Sequence, residues 1–243
     1  MSQAHKHRIE NQLAFVLHSY PFRETSLVLE VFSRQHGRVP LVARGARRPR
    51  SALRGLLMGF QPLSLSWFGK HELRTLHSAE WQGGQPQLQG TALMCGFYLN
   101  ELLLNLTARD DPHENLFDYY RQTLLRLVHE EDHAATLRCF EKHLLQELGY
   151  ALLLEREADS NMPIVAGKDY RYILERGAIP ESRDTQAGLP VSGKTLLDIA
   201  ADDYTDANSA RQGKQLMRML LNHHLGGAIL HTRELIKDLK RHD

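Results

Sequence analysis

The stretch Leu63-Ser64-Leu65-Ser66-Trp67 alternates apolar with small polar side chains. That period of two belongs to a strand with one buried face. It is the clearest alternation in the chain, and the residues around it read the same way. Upstream, Leu13, Phe15 and Leu17 alternate with Ala14, Val16 and His18. Leu27, Leu29 and Val31 follow, and then Val39 to Ala43. Downstream, a fifth candidate runs from about Glu72 to Trp81. Pro21, Gly37, Gly45, Pro49, Gly59, Pro62 and Gly69 stand in the gaps as turn residues. Five short strands in about 80 residues suggest a small barrel or sandwich, and a five-stranded barrel of the OB type fits that size.

Gly83-Gly84-Gln85-Pro86 marks a boundary, and beyond it the period becomes helical. The expected fold class is α+β: an N-terminal five-stranded OB-type barrel over 1–82, then a mainly α-helical domain over 87–243. Leu93, Phe97, Leu99, Leu102, Leu103 and Leu106 cover most of one helix. Asp111 as N-cap, with Pro112 and Glu114 after it, opens a second helix. Its stripe is Leu116, Tyr120, Leu124 and Leu127. A third carries Leu137, Phe140, Leu144 and Leu148 and stops at Gly149. Residues 155–191 are polar and irregular, with a hairpin through Tyr170–Ile179. Helical patterns return at Thr195–Ala201, Ala207–Leu225 and Thr232–Arg241.

The chain has 243 residues, 42% apolar and 24% charged. These values exclude wholesale disorder and a fibrous protein. No apolar run approaches the roughly 18 residues of a membrane span. The start, Met1 to Arg8, leads into no apolar signal region. Two cysteines, Cys95 and Cys139, make neither a disulfide framework nor a four-thiolate zinc site, so a cytosolic protein is expected. The net charge is only +1 but unevenly spread. Residues 1–85 carry 12 Lys/Arg against 5 Asp/Glu; residues 86–208 carry 11 against 21; residues 209–243 carry 7 against 3. Basic ends around an acidic middle suggest separate tasks, with nucleic acid the usual partner of a basic part.

The basic signal concentrates in one run. Arg34, Arg38, Arg44, Arg47, Arg48, Arg50 and Arg54 occur with no acid among them. Arginine clusters bind phosphate through paired, charge-assisted hydrogen bonds. On a barrel of this type they would supply the electrostatic part of strand binding, with aromatics for base stacking. Tyr20, Phe22, Phe60, Trp67 and Phe68 are the stacking candidates. Arg211, Lys214 and Arg218 would extend the track onto the helical domain.

Two motifs match on paper. Gly188 to Thr195 satisfies G-x-x-x-x-G-K-[ST], with Lys194 and Thr195 in the phosphate and magnesium positions. Its context is poor, because residues 181–187 are polar where a buried strand is needed. A turn with Ser192 capping the next helix reads better. His129-Glu130-Glu131-Asp132-His133 satisfies H-E-x-x-H, but two further acids are costly beneath a zinc cleft. Asp132 reads as an N-cap between two helices. A P-loop NTPase with a nucleic-acid module is the alternative reading; a zinc hydrolase and a pure adaptor without DNA contact are further rivals.

The run Ala14 to Leu27 (Ala-Phe-Val-Leu-His-Ser-Tyr-Pro-Phe-Arg-Glu-Thr-Ser-Leu) resembles the N-terminus of the RecO DNA repair family. So do Val31-Phe32, Gly37-Arg38-Val39, Ala43 to Arg47 and Leu76 to Glu80. Phe97 to Leu103, Arg138 to Tyr150, Leu225-Gly226-Gly227 and Thr232 to Leu235 continue it. The resemblance implies a non-enzymatic recombination mediator without a cofactor, in the bacterial cytoplasm and on the nucleoid. Such a protein binds single- and double-stranded DNA, anneals complementary strands, and works with RecR to help RecA replace SSB. It also implies that the helical domain holds the acidic, Phe-ended SSB tail. Arg138, in its Leu-Arg-Cys-Phe context, matches the family's tail-binding arginine. Lys142, Leu145 and Leu148 are expected beside it, as cation and apolar slot on one stripe. Many family members carry a four-cysteine zinc module after the Leu-Gly-Tyr motif. Residues 151–191 contain no cysteine here, so no zinc is expected.

Overall fold

In the computed structural model, which describes residues 8–150, 152–182 and 187–234, the alternating stretches become five strands. They are β1 (Arg8–Phe22), β2 (Ser26–Ser33), β3 (Gly37–Ala43), β4 (Leu63–Phe68) and β5 (Arg74–Trp81). They close into an OB-type barrel in the order β1-β2-β3-β5-β4. Every neighbouring pair is antiparallel except β3 and β5, which run parallel with Val42 opposite Thr75. Leu63, Leu65 and Trp67 face the interior with Val16, Leu29, Val31 and Leu41, as their alternation requires. A four-residue helix, α1 (Leu53–Leu56), lies between β3 and β4. Its Leu53 and Leu56, with Leu57 after it, pack against the barrel core.

Strand directions fix two ends. β1 and β3 finish at one end, called the upper end here, and the parallel seam makes β5 finish there too. The β2–β3 and β4–β5 turns lie at the lower end.

The linker at Gly83-Gly84-Gln85-Pro86 marks the change from strand to helix, but packing divides the chain later. One compact unit takes in the chain through Glu130 and resumes at Leu230; the other is Glu131–Ile229. The first unit therefore includes α2 (Gly90–Leu106) and α3 (Glu114–His129). The reason lies in two outward-facing aromatics. Phe15 of β1 and Phe32 of β2 each meet Phe117 of α3 at 5.5 Å between ring centroids. Tyr120 packs edge-on against both. Its hydroxyl donates to Asn100 Oδ1 at 2.6 Å, and Asn100 Nδ2 donates to the Leu17 carbonyl at 2.8 Å. Burial pushes the Tyr120 phenol far above its usual pKa. Near the chain's end, Glu101 of α2 accepts hydrogen bonds from the amides of His231 (2.7 Å) and Thr232 (3.0 Å). Arg233 donates to the Tyr98 hydroxyl at 2.9 Å.

Asp111 is not the cap of α3. His113 occupies the cap position, without a side-chain hydrogen bond. The segment before it is held to β3 instead: Arg109 forms a β-bridge with Arg38, and the Asp110 amide donates to the Arg38 carbonyl at 3.0 Å. The chain turns at Asp110 (φ +59), and α3 starts at Glu114.

The second unit contains α4 (His133–Glu147), β6 (Asp169–Ile173), β7 (Gly177–Pro180), β8 (Leu189–Ser192), α5 (Gly193–Ala200) and α6 (Ala207–His224). Asp132 caps α4 by accepting from the Ala135 amide at 2.9 Å. The hairpin expected within the polar segment is β6–β7, and β8 adds a third strand in the order β7-β6-β8. α6 lies against α4 and α5 around Phe140, Leu144, Ile199, Leu216 and Leu220. Of the last expected helix, residues 231–234 are helical and 235–241 lie outside the described residues.

Candidate nucleic-acid interface

The contiguous arginine run is divided by the strand that passes through it. Arg34 and Arg38 flank the β2–β3 turn at the lower end, while Arg44 leaves β3 at the upper end. Between Arg38 and Arg44 the strand advances about 20 Å. The lower pair is committed to carboxylates and carbonyls. Arg34 Nη2 lies 2.9 Å from Asp118 and its Nη1 pairs with Glu114, both on α3. Arg38, expected among the DNA contacts, is the less exposed of the two. Its guanidinium is 16% exposed, donates to the Thr107 carbonyl at 2.9 Å and faces Glu30 at 3.5 Å. Burial lowers its pKa, with Glu30 opposing the shift. Arg109 completes this network by pairing with both Glu30 and Glu72, and the Glu30 hydrogen bond raises its pKa.

The upper end is different. Arg44, Arg47, Arg48, Arg50 and Arg54 are all exposed, and none has a carboxylate at ion-pair distance among the described residues. They lie on the β3–β4 connection, residues 44–62, which contains no Asp or Glu. The Arg47 amide donates to the Thr25 carbonyl at 2.9 Å, which ties this connection to the β1–β2 turn. That contact brings in Arg23, an exposed cation that sequence reading missed; its guanidinium carbon lies 5.2 Å from the centre of the Phe22 ring. Arg23 stands alone beside Glu24 in the sequence, so only the barrel register places it with the others.

Register also builds an apolar row at this end. Tyr20 pairs with Val28, and Val28 with Val42. Tyr20 is half exposed, with the His18 ring 4.3 Å away. Of the expected stacking aromatics, Tyr20 and the half-buried Phe22 are at the upper end. Phe68 is exposed at the lower end, paired with Arg8. Trp67 and Phe60 are core residues. Lower down, the outer face of β2 and β3 is covered by the chain itself, through Phe117 on Phe32 and Arg109 on Glu30.

In the second unit, Arg211, Lys214 and Arg218 are exposed on α6, three and four residues apart on one stripe. The residues expected to hold a peptide tail differ in exposure along α4. Lys142 is buried: its ammonium donates to the carbonyls of Ile199 (3.1 Å) and Ala200 (3.0 Å) and lies 2.8 Å from Asp202. Leu145 is fully buried in the core and Leu148 is half-buried. Arg138 pairs with Glu141 one turn on, at 2.7 Å. A helical wheel gives the spacing of this stripe but not its burial, which the packing of α5 and α6 decides.

Comparison with known proteins bears on the whole chain. Residues 8–84 match the family model described as Recombination protein O N terminal, and residues 87–234 the one described as Recombination protein O C terminal. The DNA repair protein RecO of Aromatoleum aromaticum is 55% identical over 241 residues, covering 99% of each chain. The chain belongs to the RecO family. The RecO proteins of Nitrosospira multiformis and Dechloromonas aromatica are 55% and 52% identical, covering 97% and 96% of this chain and 98% and 97% of theirs. The two RecO family models meet at the Gly83–Pro86 linker, where the secondary structure changes.

In this RecO family member both paper motifs have structural explanations. The Gly188–Thr195 segment contains a strand of its own, β8, instead of a loop around a phosphate. Ser192 caps α5 by accepting from the Thr195 amide at 3.1 Å. Thr195 is fully buried and donates to Gln212 Oε1 at 2.7 Å. Lys194 pairs with Asp198 on the next turn, and that hydrogen bond raises its pKa. Gly193 is required by close approach, since a Cβ there would lie 2.1 Å from the Val165 carbonyl oxygen. His129 ends α3 and His133 opens α4, so H-E-x-x-H does not lie on one helix. Among the described residues no His, Cys, Asp and Glu group has metal-binding geometry, and no helix is long and apolar enough to cross a membrane.

Proposed function

We propose that the protein is a DNA repair and recombination mediator that binds single- and double-stranded DNA through the upper end of its barrel. It anneals complementary strands there, and with RecR it helps RecA replace SSB on single-stranded DNA. It acts in the bacterial cytoplasm, on the nucleoid, without a catalytic step of its own. The observation that carries this reading is the set of five exposed arginines, Arg44, Arg47, Arg48, Arg50 and Arg54, with no carboxylate partner among the described residues. Exposed guanidinium groups without a carboxylate partner, on a loop without acids, favour phosphate oxygens. The exposed stripe of Arg211, Lys214 and Arg218 would add to the phosphate contacts. The commitment of Lys194 and Thr195 to Asp198 and Gln212 supports the absence of a nucleotide-driven step. Contact with the SSB tail rests on family membership and on Arg138 alone.

The deciding experiment is binding of a fluorescent single-stranded oligonucleotide across a salt series, with and without ATP. Wild type should bind with a steep salt dependence that ATP does not alter. Replacing the five arginines with Ala should flatten the slope of log K against log salt by up to about 3.5. An unchanged slope and affinity would remove the loop from the interface.

A further inference from the structure

The chain has two tryptophans, and their environments are opposite. Trp67 is fully buried in the barrel; Trp81 is 59% exposed, the most exposed large aromatic among the described residues. Trp81 is the last residue of β5 and pairs in register with Leu63, a core residue. Directly opposed residues share a face. Trp81 therefore sits on the interior side of its strand, at the point where the barrel stops. The indole is at the upper mouth, not on the outer wall. β3 delivers Arg44 to that same mouth, and α1, which carries Arg54, lies against β5.

The ring is held in place. Its Nε1–H donates to Gln61 Oε1 at 3.2 Å, and Gln61 is 9% exposed. The Gln82 amide donates to the Pro62 carbonyl at 3.0 Å, so both ends of this contact are fastened. Gln61 and Pro62 are the final residues of the arginine-bearing connection, which ties that connection directly to the indole. Beside the ring stands Gly83 at φ +74, where a Cβ would come within 4.0 Å of Trp81 Cη2.

We infer that Trp81 is a nucleobase-stacking platform for an unpaired base of a single strand whose phosphates lie on the Arg44–Arg54 connection. The inference rests on the DNA-binding reading above and assigns the part of it that phosphate contacts cannot supply. A cationic track with a rigid aromatic is the pairing that single-strand binding uses, and any base has a π-face to offer. In a duplex the bases are already stacked on each other, so the platform acts on single strands.

Trp81 reports on itself. Tryptophan emission and the anisotropy of a labelled strand should be followed in one titration, with a dT oligonucleotide and, separately, a duplex. Saturation with dT should quench the exposed indole, and the duplex should quench it far less. In W81F the remaining emission comes from buried Trp67 and should not respond. W81A should weaken dT binding by about five- to 150-fold, the range of one base–aromatic stack, and duplex binding less. Saturation by dT with unchanged emission would overturn the assignment while leaving DNA binding intact. An emission change on protein dilution without DNA, lost in W81A, would also overturn it by making Trp81 a contact between two copies of the chain. If neither nucleic acid binds, the DNA-binding reading falls and takes this one with it.

Discussion

The Lys142 ammonium holds the last carbonyls of α5 and the Asp202 carboxylate together inside the second unit. Lys142→Met keeps the length of the side chain and removes the cation. The half-buried Asp202 carboxylate would keep only His143, and the Ala200 carbonyl would lose its ammonium donor, a change that costs about 1–3 kcal/mol. Urea unfolding should show that loss, while Gln146→Met, on the exposed side of the same helix, should show little. The same cluster sets a pH dependence. Burial pushes the Asp202 carboxyl up, but hydrogen bonds from His143 and Lys142 outweigh it and hold its pKa below the ordinary 3.8. A carboxylate with a depressed folded-state pKa contributes stability above its unfolded value and loses it as pH falls through the folded value. Wild type should therefore lose stability below about pH 4, and Lys142→Met should flatten that acid limb. The sequence marks Lys142 as a cation on a stripe with Arg138 and Leu145. What it does not reveal is that α5 ends against that stripe, because the contact joins residues 57 and 58 positions apart.

The start of α5 separates a motif match from a motif. In a phosphate-binding loop Lys194 would be indispensable and Gly193 would serve the ligand. Here Lys194 points to Asp198 on the helix surface, and Gly193 lies against the Val165 carbonyl. Lys194→Ala should change the melting temperature only slightly, because an exposed i,i+4 pair contributes little. Gly193→Ala should destabilise far more, since backbone must move to admit the methyl. Differential scanning calorimetry of the two variants, with and without ATP and magnesium, checks the order; an ATP-induced stabilisation lost with Lys194 would reverse it. The Ser192 cap was legible from residue type and spacing. The strand inside the motif was not, since β8 is only four residues long. α3 shows the opposite error: Asp111, Pro112 and Glu114 have the spacing of a helix start, yet His113 takes the cap position and the helix begins at Glu114. Local signals give an element's type more reliably than the residue at which it begins.

Across the whole chain, the strands of the barrel could be read from alternation because one face of each is buried. The packing boundary could not, since it depends on Phe15 and Phe32 pointing away from the barrel interior toward α3. A fragment ending at Gly84 should leave those rings in water and aggregate or remain partly unfolded. One ending at Glu130 keeps Phe117 and Tyr120 and should be the better behaved. Proton NMR dispersion and light scattering of the two fragments check this, and a soluble, well-dispersed 1–84 fragment would contradict it. The basic loop shows the same limit. Seven arginines in sequence suggest one patch, but a seven-residue strand sends two of them to the far end of the barrel. Five remain at the near end, where the fold adds Arg23 from another turn. The connectivity of the two units has a mechanical consequence. The first unit contains both β1 and the segment from Leu230 onward, and the second is spliced between Glu130 and Leu230. When a load pulls on the two ends of the chain, it meets the first unit's contacts before it can stretch the second. Glu101, gripping the amides of His231 and Thr232, is one of the clasps that must open before tension passes inward.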